Sequence, residues 1–87
     1  MAQQRNEEAR FPISNGPGKF DLMMSLFSRQ IVTFKLGTGS EVRVLITSIT
    51  QEDGSCESWI ISGYIVGYNE RFRGYYRTRG NNGYFIF

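Results

Sequence analysis

Apolar and charged positions alternate along residues 71–79, RFRGYYRTR, and a strand is the element that alternation describes, because successive strand side chains point to opposite faces. Arg71, Arg73, Tyr75, Arg77 and Arg79 then project to one side, and Phe72, Gly74, Tyr76 and Thr78 to the other. The same period of two appears twice upstream. Residues 30–36 set Val32, Phe34 and Leu36 against Ile31, Thr33 and Lys35, and residues 40–50 set Val42, Val44, Ile46 and Ser48 against Glu41, Arg43, Leu45 and Thr47. Gly37-Thr38-Gly39 between them is a tight turn, so these two strands form a hairpin. Ile49 falls out of phase, which predicts a bend or bulge near Ser48. Residues 59–68 read as a long apolar strand in which Gly63 and Gly67 permit sharp coiling. Gly80-Asn81-Asn82-Gly83 accepts positive φ cheaply and turns the basic strand into a short aromatic one over residues 84–87.

One segment has a helical period. In residues 20–28, FDLMMSLFS, Leu22 and Leu26 share a face that Met23 and Phe27 widen, and Asp21 is available to cap the first backbone donors. Roughly two turns are not stable alone in water, so this helix is expected to lie across a barrel end as a lid or plug. Residues 1–18 begin polar and end in Phe11, Pro12, Asn15, Gly16, Pro17 and Gly18, which predicts a flexible N-terminal arm whose Phe11 and Ile13 can dock on a neighbour. Residues 51–58, QEDGSCES, form an acidic loop.

The expected fold is therefore all-β over residues 19–87: a small five-stranded antiparallel barrel of the SH3-like kind with a short N-terminal α-helix. Trp59, Ile61, Val32, Phe34, Val44 and Ile46 are its expected core. Tyr84, Phe85, Ile86 and Phe87 end the chain as an apolar strand with no charge, and an unpaired edge of that kind associates with another copy.

Charge sharpens the reading of the last hairpin. Net charge is only +2, but residues 71–87 hold four Arg and no acid, whereas residues 1–70 hold six bases against eight acids. Lysine occurs only at 19 and 35, so the cationic chemistry is guanidinium chemistry, suited to phosphate and to stacking on bases. With no His and a single cysteine, Cys56, there is no internal disulfide, no convincing zinc set and no imidazole base. No cofactor is expected. Glu52, Asp53 and Glu57 are the only clustered acids, and a solvated loop explains them better than an active site, so the chain reads as a non-enzyme. No apolar run approaches the roughly 20 residues that span a bilayer. The expectation is a cytoplasmic protein with no membrane partner.

Arg79-Gly80-Asn81-Asn82, followed by Tyr84-Phe85-Ile86, resembles the last hairpin of the Sm and Sm-like proteins. The resemblance extends over about residues 20–87: residues 22–27 stand where that family has its N-terminal helix, and Val32-Thr33-Phe34-Lys35-Leu36, Gly39, Val42 and Ile46-Thr47 are similar to its first hairpin. It implies a ring of identical subunits, each last strand joined to the neighbour's fourth, that binds single-stranded RNA, uridine-rich strands being the first candidates. It further implies that Arg79 stacks on or bonds a base, that Gly80 lets the backbone approach, and that Asn81 fixes the turn. The chain departs from the family at Val44, where a Gly is usual, and in its second base-binding loop, which here reads Thr50-Gln51-Glu52-Asp53-Gly54-Ser55.

Two functions follow. In the first, Arg71, Arg73, Arg77 and Arg79 hold phosphates and Tyr75 stacks on a base, making an Sm-like RNA-binding subunit. In the second, the same Arg and aromatic residues serve a protein interface, and the chain is an interaction or assembly module without RNA recognition.

Overall fold

The alternating segments pair in chain order and close on themselves. A computed structural model describes residues 9–52, 54, 56–68 and 70–86. Its elements are β1 (Arg10–Asn15), α1 (Lys19–Ser28), β2 (Ile31–Leu36), β3 (Glu41–Gln51), β4 (Ser58–Ile65), β5 (Glu70–Arg77) and β6 (Asn82–Ile86). The strands form a closed antiparallel barrel in the order β1-β2-β3-β4-β5-β6, with β1 also paired to β6. Among the described residues no helix is long and apolar enough to cross a membrane.

The barrel has six strands where the sequence predicts five, and the added one lies in the expected flexible arm. Gly16, Pro17 and Gly18 do interrupt regular structure, but only between β1 and α1. Before them, Ile13 is buried and Phe11 packs partly against the core, so Arg10, Pro12 and Ser14 face outward with a strand's period. On the β2 side the Gly37 N–H donates to the Pro12 carbonyl at 2.8 Å, and the Ser14 hydroxyl donates to the carbonyls of Lys35 and Leu36 at 3.2 Å. On the other side β1 pairs with β6 from Arg10↔Ile86 to Ile13↔Gly83.

That pairing corrects the expectation of an unpaired edge at the end of the chain. Tyr84, Phe85 and Ile86 lie in a strand bonded on one side to β1 and on the other to β5, so their backbone groups have partners within one chain. Phe85 is moreover buried in the core. Phe87, Asp53 and Ser55 are outside the described residues.

The core is built from the inward positions. Phe34, Val44, Ile46, Trp59 and Ile61 are buried as expected, whereas Val32 is only partly so. Phe72, Phe85, Phe34 and Tyr76 make a run of edge-on ring contacts at 4.9, 4.9 and 5.4 Å between centroids. The Tyr76 hydroxyl donates to the Pro17 carbonyl at 2.7 Å and so ties the β1–α1 connection to the barrel. Burial raises the Tyr76 phenol well above its ordinary pKa, because the phenolate would lose its hydration.

The predicted irregularity in the long strand is present. The β3–β4 register shifts between Ile46 and Ser48, leaving Ser48 exposed and turning Ile49 toward the core. Gly63 sits opposite that bulge, where an added Cβ would overlap the Leu45 carbonyl oxygen. Helix α1 packs on β2 and β3, with Leu22 in the core and Ser25 buried, its hydroxyl bonded to the Leu22 carbonyl at 2.9 Å. Two details differ from the expectation: Gly18 rather than Asp21 occupies the N-cap, with no side-chain cap bond, and Phe27 is exposed.

Candidate nucleic-acid interface

The outward positions of β5 fall where the period of two sends them. Arg71, Arg73 and Arg77 are exposed and Tyr75 is half-buried, while Phe72, Gly74 and Tyr76 are buried. Register then determines what stands beside each. Tyr75 pairs with Ile60 on β4 and with Tyr84 on β6, and Tyr84 pairs with Pro12 on β1, so one row of large side chains crosses four strands. The row beside it contains Ser62, Arg73, Ile86 and Arg10. On the other flank Arg77 stands between Ser58 and Asn82, and at the far end Arg71 lies beside Tyr64.

Ring geometry makes the central row a platform. Tyr75 and Tyr84 are stacked, with centroids 5.2 Å apart and planes 22° from parallel. The Arg10 guanidinium sits 4.7 Å from the Tyr84 ring centroid, and that of Arg71 lies 5.7 Å from the Tyr64 ring. One shallow depression runs along Tyr75, Tyr84, Arg77 and Asn82 and includes Glu52; a second is lined by Tyr64, Arg71, Arg73 and Ser62.

The tip of the hairpin is a different environment. Arg79 is not on the strand: β5 ends at Arg77, and residues 78–81 form the turn to Asn82. Gly80 at φ +94° and Asn81 at φ +54° supply the left-handed backbone of this turn, a conformation available to Gly and tolerated by Asn. The turn leans on the acidic loop, where the Thr78 N–H donates to the Glu57 carbonyl at 2.9 Å and the Arg79 guanidinium approaches the Glu57 carboxylate at 3.9 Å. With the two side chains 82% and 52% exposed, this long ion pair contributes little stability and exchanges readily for another anion.

Of the predicted binding residues, the structure gathers Arg71, Arg73, Tyr75 and Arg77 on one face and sets Arg79, Gly80 and Asn81 at its end. Arg10 and Tyr84 join that face unpredicted. The signal for Arg10 is its alternation with the inward Phe11 and Ile13, which the Gly-Pro cluster that follows outweighs. The sequence places Tyr84 on an oligomer edge, and only the register brings it beside Tyr75.

Among the described residues no three His, Cys, Asp or Glu side chains group as metal ligands. The chain matches no protein-family model, no curated protein and no solved structure.

Proposed function

We propose that this barrel binds single-stranded RNA on the outer face of β4, β5 and β6, in the cytoplasm. One observation carries the reading: the stacked Tyr75–Tyr84 pair lies in register between arginines, with Arg10 and Arg73 on one side and Arg77 on the other. Every base has a π-face, so the ring pair is a stacking platform worth roughly 1–3 kcal/mol per base. Arg71, Arg73 and Arg77 serve the phosphates beside it. Unstacked bases are needed to use a flat aromatic surface, which favours single strands over duplex. Arg79 contributes at the tip by exchanging Glu57 for a phosphate or a base.

A ring assembled as the Sm resemblance implies would require β1 to leave β6, since the last strand already has a partner on that side. The proposed site therefore rests on the single barrel. The interaction-module reading draws its support from Arg79, which has an acidic partner within its own chain, and from Arg10, which lies on a ring.

Titration of labelled uridine-rich and adenine-rich oligonucleotides tests the proposal. Tyr75→Ala is expected to weaken binding by about 1–3 kcal/mol while the fold persists, the ring being on the outer face. Wild-type protein that binds neither strand at low salt would transfer the reading to the interaction module.

A further inference from the structure

Helix α1 is apolar on two opposite sides. Leu22 is buried and Met23 and Leu26 partly buried toward the barrel, yet Phe20 and Phe27 are each 75% exposed and Met24 is 40% exposed on the other side. Their spacing of four and three residues aligns them in one stripe along the helix. The barrel covers one side only, and a contiguous apolar stripe left in water marks an interaction surface.

We propose that the stripe is the interface with a second copy of this chain, formed by an antiparallel pair of α1 helices about a two-fold axis between Met23 and Met24. The stripe is nearly symmetric, with one Phe four residues before Met24 and another three after it, so reversal about a point between Met23 and Met24 sets each Phe20 against the partner's Phe27. That self-complementarity is what an isologous contact requires. Lys19 at the first turn leans over Trp59 of its own barrel, its ammonium 5.9 Å from the ring.

Area fixes the kind of dimer. Two phenylalanines three-quarters exposed, with Met24, leave roughly 350 Å² of apolar surface in water, within the range of patches that are functional on monomers. Two copies bury on the order of 700 Å² from these side chains, below the roughly 1,200 Å² at which stable interfaces begin. The dimer is weak and reversible. Because α1 packs on β2 and β3, it leaves the outer face of β4, β5 and β6 open in both copies.

Sedimentation of the full chain from micromolar to about millimolar concentration tests this. Wild type is expected to pass from monomer to dimer, and Met24→Glu to raise the dissociation constant more than about tenfold with an unchanged far-ultraviolet spectrum. A second variant, Met24→Cys with Cys56→Ser, places two thiols beside the axis and is expected to give a covalent dimer on mild oxidation. That arm decides alone if Met24→Glu fails to fold. A wild type that stays monomeric throughout overturns the proposal, as does a dimer that Met24→Glu leaves intact or that the Met24→Cys variant fails to cross-link. A monomer that adsorbs to phosphatidylcholine vesicles through the stripe also overturns it and assigns the surface to lipid.

Discussion

The two faces of β5 come from the same eight residues and have opposite dependencies. Inward, Phe72, Gly74 and Tyr76 sit in a run of aromatic contacts that continues into Phe85 and Phe34 from two other strands. Outward, Arg71, Arg73 and Arg77 are exposed and Tyr75 is half-buried against Tyr84, and what distinguishes them is which residues the register puts beside them. The inner face needs every member for its packing. The outer face is expected to tolerate the loss of any one of them with little change in the packing of the barrel. Separating the two by substitution is the direct test of that division.

The largest effect belongs to the inner face. Phe85 is fully buried and touches both Phe34 and Phe72, so Phe85→Ala leaves a cavity that neighbouring strands cannot fill. A loss of about 3–5 kcal/mol in chemical denaturation is expected. A loss below about 1 kcal/mol would mean that the aromatic run is not the core of the barrel.

Tyr76 gives a smaller effect with a distinctive pH signature. Tyr76→Phe keeps the ring but removes the bond to the Pro17 carbonyl, and about 1 kcal/mol of stability is expected to go with it. The raised phenol pKa means that above about pH 10 the unfolded chain has released a proton that the native state still holds. Stability conferred by the neutral phenol is therefore complete below that pH and declines as pH rises further. Denaturation curves of wild type should lose stability with pH above about 10, and those of Tyr76→Phe should lose less.

How much of this was legible in the sequence depended on whether a signal was local. The two faces of β5 followed from alternation alone, and the bulge near Ser48 from the phase slip at Ile49. The strand at residues 10–15 was hidden because Pro12 and the Gly16-Pro17-Gly18 breakers outweigh two inward residues, and only the gap between β2 and β6 makes a strand there worthwhile. The pairing of Tyr75 with Tyr84 was out of reach for a related reason. Alternation says which way a side chain points but not what stands opposite it, and the turn over residues 78–81, which sets the register, was expected two residues later. Phe27 failed differently: it lies at the edge of the apolar arc that Leu22, Leu26 and Met23 share, and periodicity alone did not say that it would remain outside.

The smallest expected effect is also the one that separates RNA recognition from a structural role for the hairpin tip. Arg79 approaches Glu57 at 3.9 Å with both side chains largely in water, so the pair is held by little and competes directly with any phosphate that reaches the tip. Glu57→Gln removes the competitor and one unit of negative charge while keeping the loop's backbone bonds to Thr78. Binding of single-stranded RNA should tighten by up to about fivefold, the equivalent of up to about 1 kcal/mol for an exposed ion pair. The salt slope should steepen by about 0.7, the amount added by one further phosphate contact on a single strand. Arg79→Ala is expected to reverse the gain, and Glu57→Gln in that background should then change affinity only through long-range charge. Equal affinities for wild type and Glu57→Gln at low salt would show that Arg79 does not reach the RNA, leaving recognition to Arg71, Arg73, Arg77 and the ring pair.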